Sequence, residues 1–386
     1  MKKLLLTLFS IMLLFIISTY CATMQKSNFV FAEVTFAQTA KSSMLIDFDT
    51  GTIVHENQID KKLPIASMVK MMTIFLTLKS IDEGSLGTNQ KITTTENASG
   101  MGGSQVFIDP YVEYTVEDLL KSVIMSSAND ASVALAEAIS GSEDQFVVLM
   151  NDTAKNLGMN NTVYANCTGL PAPEQYSCAR DCAVILKNIL KYEYYHKFSN
   201  IWMDELVHPS GRKTELVNTN KLVKYYDGCD CGKTGSTSEA GYCLTASAKR
   251  GNLRLISVII GAQTGKDRFK ETTDLFNYGF ANFENKQLVK SNDVLKEVKT
   301  KSCKTDYAQI ISNEDFFAFD KKGAKSNYEF AYNLPEYITA TKKGQKIGEL
   351  LITKDGNVVK VLDLTVNEDI EKMGYKDNLR AIIKNW

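Results

Sequence analysis

An α+β fold is predicted, in which helices flank one sheet and a small all-β domain follows, on three observations. Strand-like alternation appears near residue 43 and again from residue 241, periods of three and four fill the chain between them, and short alternating strands take over after Lys286. The chain has 386 residues, 44% of them apolar, with 44 Lys+Arg against 45 Asp+Glu. That balance excludes a disordered chain and a basic nucleic-acid surface, and the length suits about two domains.

At the N-terminus, Lys2 and Lys3 precede an apolar run from Leu4 to Ile17 broken only by Thr7 and Ser10. These are the basic and apolar regions of a secretory signal. Val30-Phe31-Ala32 offers a cleavage site, so residues 1–32 are assigned to the signal and Glu33 to the mature start. An uncleaved anchor is the alternative, the run being shorter than the ~20 residues that span a bilayer. Lipid attachment at Cys21 is disfavoured, because Tyr20 occupies a place where that processing needs a small residue. Losing residues 1–32 removes Lys2, Lys3 and Lys26 but no acid, so the net charge of −1 becomes more negative and no polyanionic partner is expected.

The mature chain keeps Cys167, Cys178, Cys182, Cys229, Cys231, Cys243 and Cys303. An odd number leaves at least one unpaired, and Cys229-x-Cys231 with Cys178-x3-Cys182 does not give the two-to-four spacing in both halves that structural zinc sites show. The sequence predicts no metal and no cofactor, and the thiols are read as disulfides or core groups.

The segment from Ser43 to Asp49 and the segment from Thr52 to Val54 read as two short strands around an Asp-Thr-Gly turn. From Ser67 the apolar residues Met68, Met71, Met72, Phe75, Leu76 and Leu78 predict a helix that Gly84 closes, with Pro64 just ahead of it. Further helices are predicted at 116–125, 131–139, 143–157 and 180–190. Gly241–Ser247 and Leu253–Ile260 are β-rich and separated by a natural turn, and they are expected to share one sheet with the first strands. In the following domain, Lys346–Ile352 and Val358–Leu364 form a hairpin pattern through Asp355-Gly356. Near the end Tyr375, Leu379, Ile382, Ile383 and Trp386 fall on one helical face beside Lys376, Arg380 and Lys384. Such a helix either packs on its domain or lies on a membrane surface. The expected divisions are a signal at 1–32, a main domain at 33–286, a β-rich domain at 287–367 and an amphipathic helix at 368–386.

Three histidines (His55, His196 and His208) and no G-x-S-x-G elbow disfavour a Ser-His-Asp hydrolase. A different nucleophile is offered by Ser67-Met-Val-Lys70 at a predicted helix start. Residues three apart share a face, so the Lys70 amine reaches the Ser67 hydroxyl and takes its proton once burial or a second cation lowers the lysine pKa. Alone this motif is uninformative, because roughly two S-x-x-K tetrapeptides arise by chance in a chain of this composition. Ser127-Ala128-Asn129 and Lys233-Thr234-Gly235 follow in fixed order, and the three together are specific. Ser127 is placed to relay a proton to a leaving amine and Asn129 to hold a substrate amide. Lys233 supplies the second cation, and Gly235 lets a substrate lie along the strand.

With these motifs the sequence resembles the serine D-alanyl-D-alanine carboxypeptidases, the low-molecular-weight penicillin-binding proteins. The resemblance rests on Pro64-Ile-Ala-Ser67-Met-Val-Lys70-Met-Met-Thr73, on Ser126-Ser-Ala-Asn-Asp-Ala131, and on Lys233-Thr-Gly-Ser-Thr237 followed by Ala240-Gly-Tyr242. Gly169-Leu170, Tyr176-Ser177, Ala179-Arg-Asp181 and Arg254-Leu-Ile-Ser257 extend it over most of the mature chain. It implies a penicillin-binding transpeptidase/β-lactamase-like main domain with catalytic Ser67, Lys70 and Ser127. Substrate-binding roles are implied for Asn129, Lys233, Thr234, Gly235, Ser236, Thr237 and Arg268. The implied substrate is the peptidoglycan pentapeptide ending in D-Ala-D-Ala, with β-lactam antibiotics as inhibitors, at the extracytoplasmic face of a bacterial membrane or in the wall. Peripheral membrane contact through the C-terminal helix belongs to the same expectation.

Cys229 and Cys231 before Lys233, with Cys243 on the returning strand, depart from that pattern and suggest a bridge across the hairpin. A serine β-lactamase uses the same motifs but expects a glutamate in an E-x-x-L-N context, where this chain reads Val163-Tyr-Ala-Asn-Cys-Thr-Gly-Leu170. An inactive wall-binding module would have lost Ser67, Lys70 or Lys233, and all three are present.

Overall fold

The computed structural model describes Phe36 and residues 39–375. The assigned signal segment and most of the expected C-terminal helix, including Leu379, Ile382, Ile383 and Trp386, lie outside the described residues. The chain opens with β1 (Ser42–Asp47) and β2 (Ile53–Asn57), then a 3-10 turn over Ala66–Val69 that runs into α1 (Lys70–Asp82). Next come β3 (Lys91–Thr93), α2 (Glu96–Ser99), β4 (Glu113–Thr115), α3 (Val116–Ser126), α4 (Asn129–Ser140), α5 (Glu143–Asn156), α6 (Ala179–Ile189) and α7 (Glu193–Ser199). The hairpin β5 (Met203–Val207) and β6 (Lys213–Val217) and the turn α8 (Leu222–Tyr225) lead to β7 (Cys229–Thr237), β8 (Gly241–Arg250), β9 (Leu253–Ala262) and α9 (Gly265–Asn282).

The first and last strands of this region share one antiparallel sheet in the order β2-β1-β9-β8-β7, as the sequence pattern predicts. Its central strands are buried on both faces, and side chains alternate between two cores. Met44, Ile46, Ile256 and Val258 face the core built by the helices, while Leu45, Leu255 and Ile259 face Leu275, Phe276 and Phe280 of α9. Helix limits follow local chemistry. Thr115 caps α3 by accepting from the Asp118 N–H at 3.1 Å, with Glu117 and Asp118 in the first turn, where the helix dipole favours acids.

The second domain holds β10 (Phe283–Val289), β11 (Val294–Lys299), β12 (Tyr307–Ser312), β13 (Phe316–Lys321), β14 (Tyr328–Asn333), β15 (Lys346–Lys354) and β16 (Asn357–Val366). β10 pairs with β13, and the rest form a sheet in the order β11-β12-β16-β15-β14 around Ile310, Leu350, Ile352, Leu362 and Leu364. The β15–β16 turn puts Asp355 and Gly356 at φ +49° and +84°, the geometry of the tight hairpin that Asp-Gly favours. β10 starts directly after α9, and Phe283 stacks on Phe319 at 5.0 Å between ring centroids. Residues 368–374 correct the start of the expected helix: they are not helical, because Ile370 pairs with Thr341 and is buried in the domain core, and Lys372 pairs with Cys303, whereas Tyr375 is helical. No helix among the described residues is long and apolar enough to cross a membrane.

Candidate active site

The nucleophile turn differs in detail from the expected helix start. Ala66–Val69 is a 3-10 turn and Lys70 begins the α-helix. In a 3-10 turn residues three apart eclipse, which brings Lys70 Nζ to 3.1 Å from Ser67 Oγ. Ala66 holds φ at +48° just before the serine, a left-handed conformation that costs a residue with a Cβ about 1–3 kcal/mol and persists only where its surroundings enforce it. Two glycines allow that enforcement. A Cβ on Gly235 of β7 would lie 2.5 Å from the Ile65 carbonyl and 3.1 Å from the Ser67 nitrogen, and one on Gly169 would lie 2.1 Å from the Ala66 carbonyl. The nucleophile turn is thus pressed between β7 and the 166–170 loop.

Lys70 is fully buried, and its amine donates to the Thr168 carbonyl at 2.5 Å as well as to Ser67. Burial lowers its pKa from 10.5 to about 7, against an opposing pull from Cys167 and Asp130. Desolvation, rather than the second cation, therefore makes this lysine a base near neutral pH. The repulsion between the two lysines is felt at Lys233, which complete burial, Lys70 and Arg268 together push well below the ordinary range.

Ser127 terminates α3 in a left-handed conformation, φ +60°, which turns its side chain out of the helix line. Its Oγ accepts a hydrogen bond from Lys233 Nζ at 2.6 Å, and Lys233 also donates to the Thr234 carbonyl at 3.1 Å. Asn129, at the first turn of α4, donates through Nδ2 to the Gly102 carbonyl at 2.6 Å, while its buried Oδ1 has no partner. On β7, Thr234 is buried, Ser236 is exposed, and Thr237 Oγ1 accepts from the Ala240 N–H at 3.0 Å. Arg268, on the first turn of α9, donates from Nη1 to the Gly235 carbonyl at 3.1 Å and leaves a buried Nε unpartnered. The expected residues thus converge from four elements: the nucleophile turn, the α3–α4 junction, β7 and α9.

Sequence reasoning gave no role to Asn166, Thr168 or Asp130. Asn166 Oδ1 accepts from the Thr168 and Gly169 N–H groups at 3.2 and 2.7 Å, folding the loop that supplies the Thr168 carbonyl to Lys70. An Asn three residues ahead of a Gly was the available signal for such a side-chain-closed turn. The cross-hairpin disulfide is overturned. Cys243 stands opposite Gly235, whereas Cys229 and Cys231 face Ala248 and Ser247, and all seven described cysteines are free and buried. Among the described residues no group of three or more His, Cys, Asp or Glu side chains is arranged to hold a metal ion.

Comparison with known proteins agrees with this geometry. The D-alanyl-D-alanine carboxypeptidase family model matches residues 29–264, and the penicillin-binding protein 5 C-terminal domain matches residues 283–372. A D-alanyl-D-alanine carboxypeptidase of Bacillus subtilis, DacF, is 41% identical over 91% of this chain and 90% of its own length. The structure of penicillin-binding protein 5 from Haemophilus influenzae superposes with a TM-score of 0.71 at 32% identity, covering 86% of this chain and 98% of that one. Penicillin-binding protein D2 from Listeria monocytogenes, solved in its ampicillin-bound form, superposes at 0.56 with 29% identity over 63% of this chain and 98% of that one. The chain belongs to the D-alanyl-D-alanine carboxypeptidase family, with a transpeptidase-like main domain and a C-terminal all-β domain.

Proposed function

We propose that this chain is a serine-type D-Ala-D-Ala carboxypeptidase that removes the terminal D-alanine from peptidoglycan pentapeptides through an acyl-enzyme on Ser67. The observation that carries the reading is the buried Lys70 amine, with a pKa near 7, placed 3.1 Å from the Ser67 hydroxyl. Neutral Lys70 takes the Ser67 proton as Oγ attacks the carbonyl of the penultimate D-Ala. The N–H groups of Ser67 and Ser236 receive the oxyanion, a contribution of about 3 kcal/mol for a single such donor. The intermediate collapses with cleavage of the C–N bond, and Ser127, backed by Lys233, delivers a proton to the departing amine. Lys233, Thr234 and Arg268 hold the free carboxylate, and Asn129 Oδ1 accepts from a substrate amide. Water then cleaves the ester with Lys70 again as base.

Penicillins enter by the same attack. The segment 163–170 carries no carboxylate to activate a deacylating water, and its Asn166 side chain is engaged within the loop. Slow release of the penicilloyl group follows from that. The apolar run at 4–17 supports export, and the amphipathic pattern from Tyr375 supports peripheral contact with the outer membrane face; flotation of the mature chain with anionic liposomes tests the latter.

The test of activity is an intact-mass time course with benzylpenicillin, run beside D-alanine release from a pentapeptide. An adduct lasting minutes on the wild type and missing from Ser67→Ala is expected. Drug consumed with no lasting adduct would indicate a β-lactamase, and no reaction at all would leave only a wall-binding fold.

A further inference from the structure

Asp130 follows Asn129 in the first turn of α4 and is fully buried, yet among the described residues it makes no ion pair. Main-chain N–H groups surround its carboxylate instead. Val106 N lies 3.2 and 3.1 Å from its two oxygens, Ile108 N lies 3.2 Å from Oδ2, and Ala131 N lies 2.9 Å from Oδ1. Only an ionised carboxylate has acceptors on both atoms and no donor to conflict with these groups, so the nest selects Asp over Asn. Asn129 grips the other end of the same loop: its backbone N–H donates to the Ser104 carbonyl at 2.7 Å and its Nδ2 to the Gly102 carbonyl at 2.6 Å. Gly103 sits between those contacts at φ +79°, and a Cβ there would lie 2.7 Å from Asn129 Nδ2. On the far side, Thr214 Oγ1 donates to the Val106 carbonyl at 3.2 Å and Arg212 to the Phe107 carbonyl at 2.5 Å.

We infer that Asp130 is a positioning residue for the proposed acyl transfer: it fixes the 102–108 loop, which commits the Asn129 amide nitrogen to Gly102 and leaves Oδ1 as the acceptor offered to substrate. The inference rests on the function proposed above. Its charge has a second consequence. The groups acting on Lys70 are the Ser67 hydroxyl, the Thr168 carbonyl, Cys167, Asp130 and Lys233, and Asp130 is the carboxylate among them that favours the protonated amine. Removing that charge makes Lys70 a free base at lower pH.

The experiment measures benzylpenicillin acylation against pH, per folded molecule, for the wild type, Asp130→Asn and Gly103→Ala. Asp130→Asn is expected to acylate about a hundredfold more slowly, the scale of a misplacement near 1 Å, with the acid limb of its profile moved to lower pH. Gly103→Ala displaces the Asn129 amide but keeps the carboxylate, so it is expected to be slowed without a shift of the limb. It also serves if Asp130→Asn does not fold. Folded Asp130→Asn with the wild-type rate and profile, whatever its melting temperature, would reduce Asp130 to a structural role and overturn the inference. Wild-type rates in Gly103→Ala would do the same. A wild type with no adduct on Ser67 would remove the proposed function itself, whereas a reactive wild type with unaffected variants removes only this step.

Discussion

Lys233 Nζ lies 2.6 Å from Ser127 Oγ, and both side chains are buried. They come from β7 and from the end of α3, 106 residues apart in sequence, so the contact ties the sheet to the helical half of the domain at the point where a leaving group must be protonated. Replacing Ser127 by Ala leaves Lys233 Nζ with only the Thr234 carbonyl. A buried donor that loses a partner costs about 1–3 kcal/mol, so the melting temperature of Ser127→Ala should fall. D-Alanine release from a pentapeptide should fall further, by about 10²-fold or more, the usual weight of a positioned acid–base group. Release at the wild-type rate would show that Ser127 is not the proton relay.

Lys70 sets the pH dependence. Its neutral form is the base, so penicillin acylation should rise with pH through about 7 and then level off. Stability should also rise over the window from about 7 to 10.5. There the unfolded chain binds the lysine proton that the folded chain has released, and unfolding free energy increases with pH wherever the unfolded state binds more protons. Lys70→Met removes the desolvation penalty at neutral pH with little change of shape. It should therefore melt above the wild type while forming no penicilloyl adduct. A Lys70→Met protein that melts lower would contradict desolvation as the dominant cause.

The helices were legible because their apolar periods persist for three turns or more. The observed α3, α5 and α6 lie within a residue or so of the limits read from the 116–125, 143–157 and 180–190 periods. The Ser67, Ser127 and Lys233 motifs were legible for another reason: each places a reactive side chain at a joint between elements, where local pattern and chemistry coincide. The 3-10 geometry at Ser67 was not, since it comes from Gly235 and Gly169 pressing on Ala66 from segments remote in sequence. Asp130 was read within a motif but given no role, because its partners Val106 and Ile108 belong to a loop with no periodic signal. The expected start of the C-terminal helix at 368 is too early, because the apolar spacing that begins at Tyr375 says nothing of the residues before it, where Ile370 is held by Thr341 in the second domain.

The cysteines give a prediction opposite to the one that spacing suggested. From Cys243 to Ser247, the partner of Cys231, is four residues along β8, roughly 13 Å at the rise of a strand, whereas disulfides need Cα atoms within about 7 Å. Burial also raises the thiol of Cys229 to about 12 and that of Cys243 to about 11, which keeps both protonated and unreactive at neutral pH. Peptide maps of the mature protein with and without reductant should be identical. Iodoacetamide at pH 8 should label the native protein negligibly and the denatured protein fully. A linked peptide containing Cys243 and either Cys229 or Cys231 would sink this reading.

Arg268 carries a cation into the cleft without an acid to balance it. No Asp or Glu pairs with it among the described residues, its Nε is buried and unpartnered, and its guanidinium lies against the rings of Tyr242 and Phe269 at 5.5 and 4.8 Å. Burial pushes its pKa below the ordinary value, so the unliganded site holds an unfavourable charge that a substrate carboxylate would offset. A charge-assisted hydrogen bond contributes about 1.5–3 kcal/mol, which corresponds to roughly tenfold to a hundredfold in kcat/KM. Arg268→Ala should lose that factor on a peptide ending in free D-Ala-D-Ala. It should lose little on the same peptide with an amidated C-terminus, which has no carboxylate to hold. Arg268→Lys should recover only part of the difference, because a lysine cannot reproduce the forked donor geometry of a guanidinium. Equal losses on the free and amidated peptides would mean that Arg268 supports β7 through the Gly235 carbonyl and does not read the carboxylate.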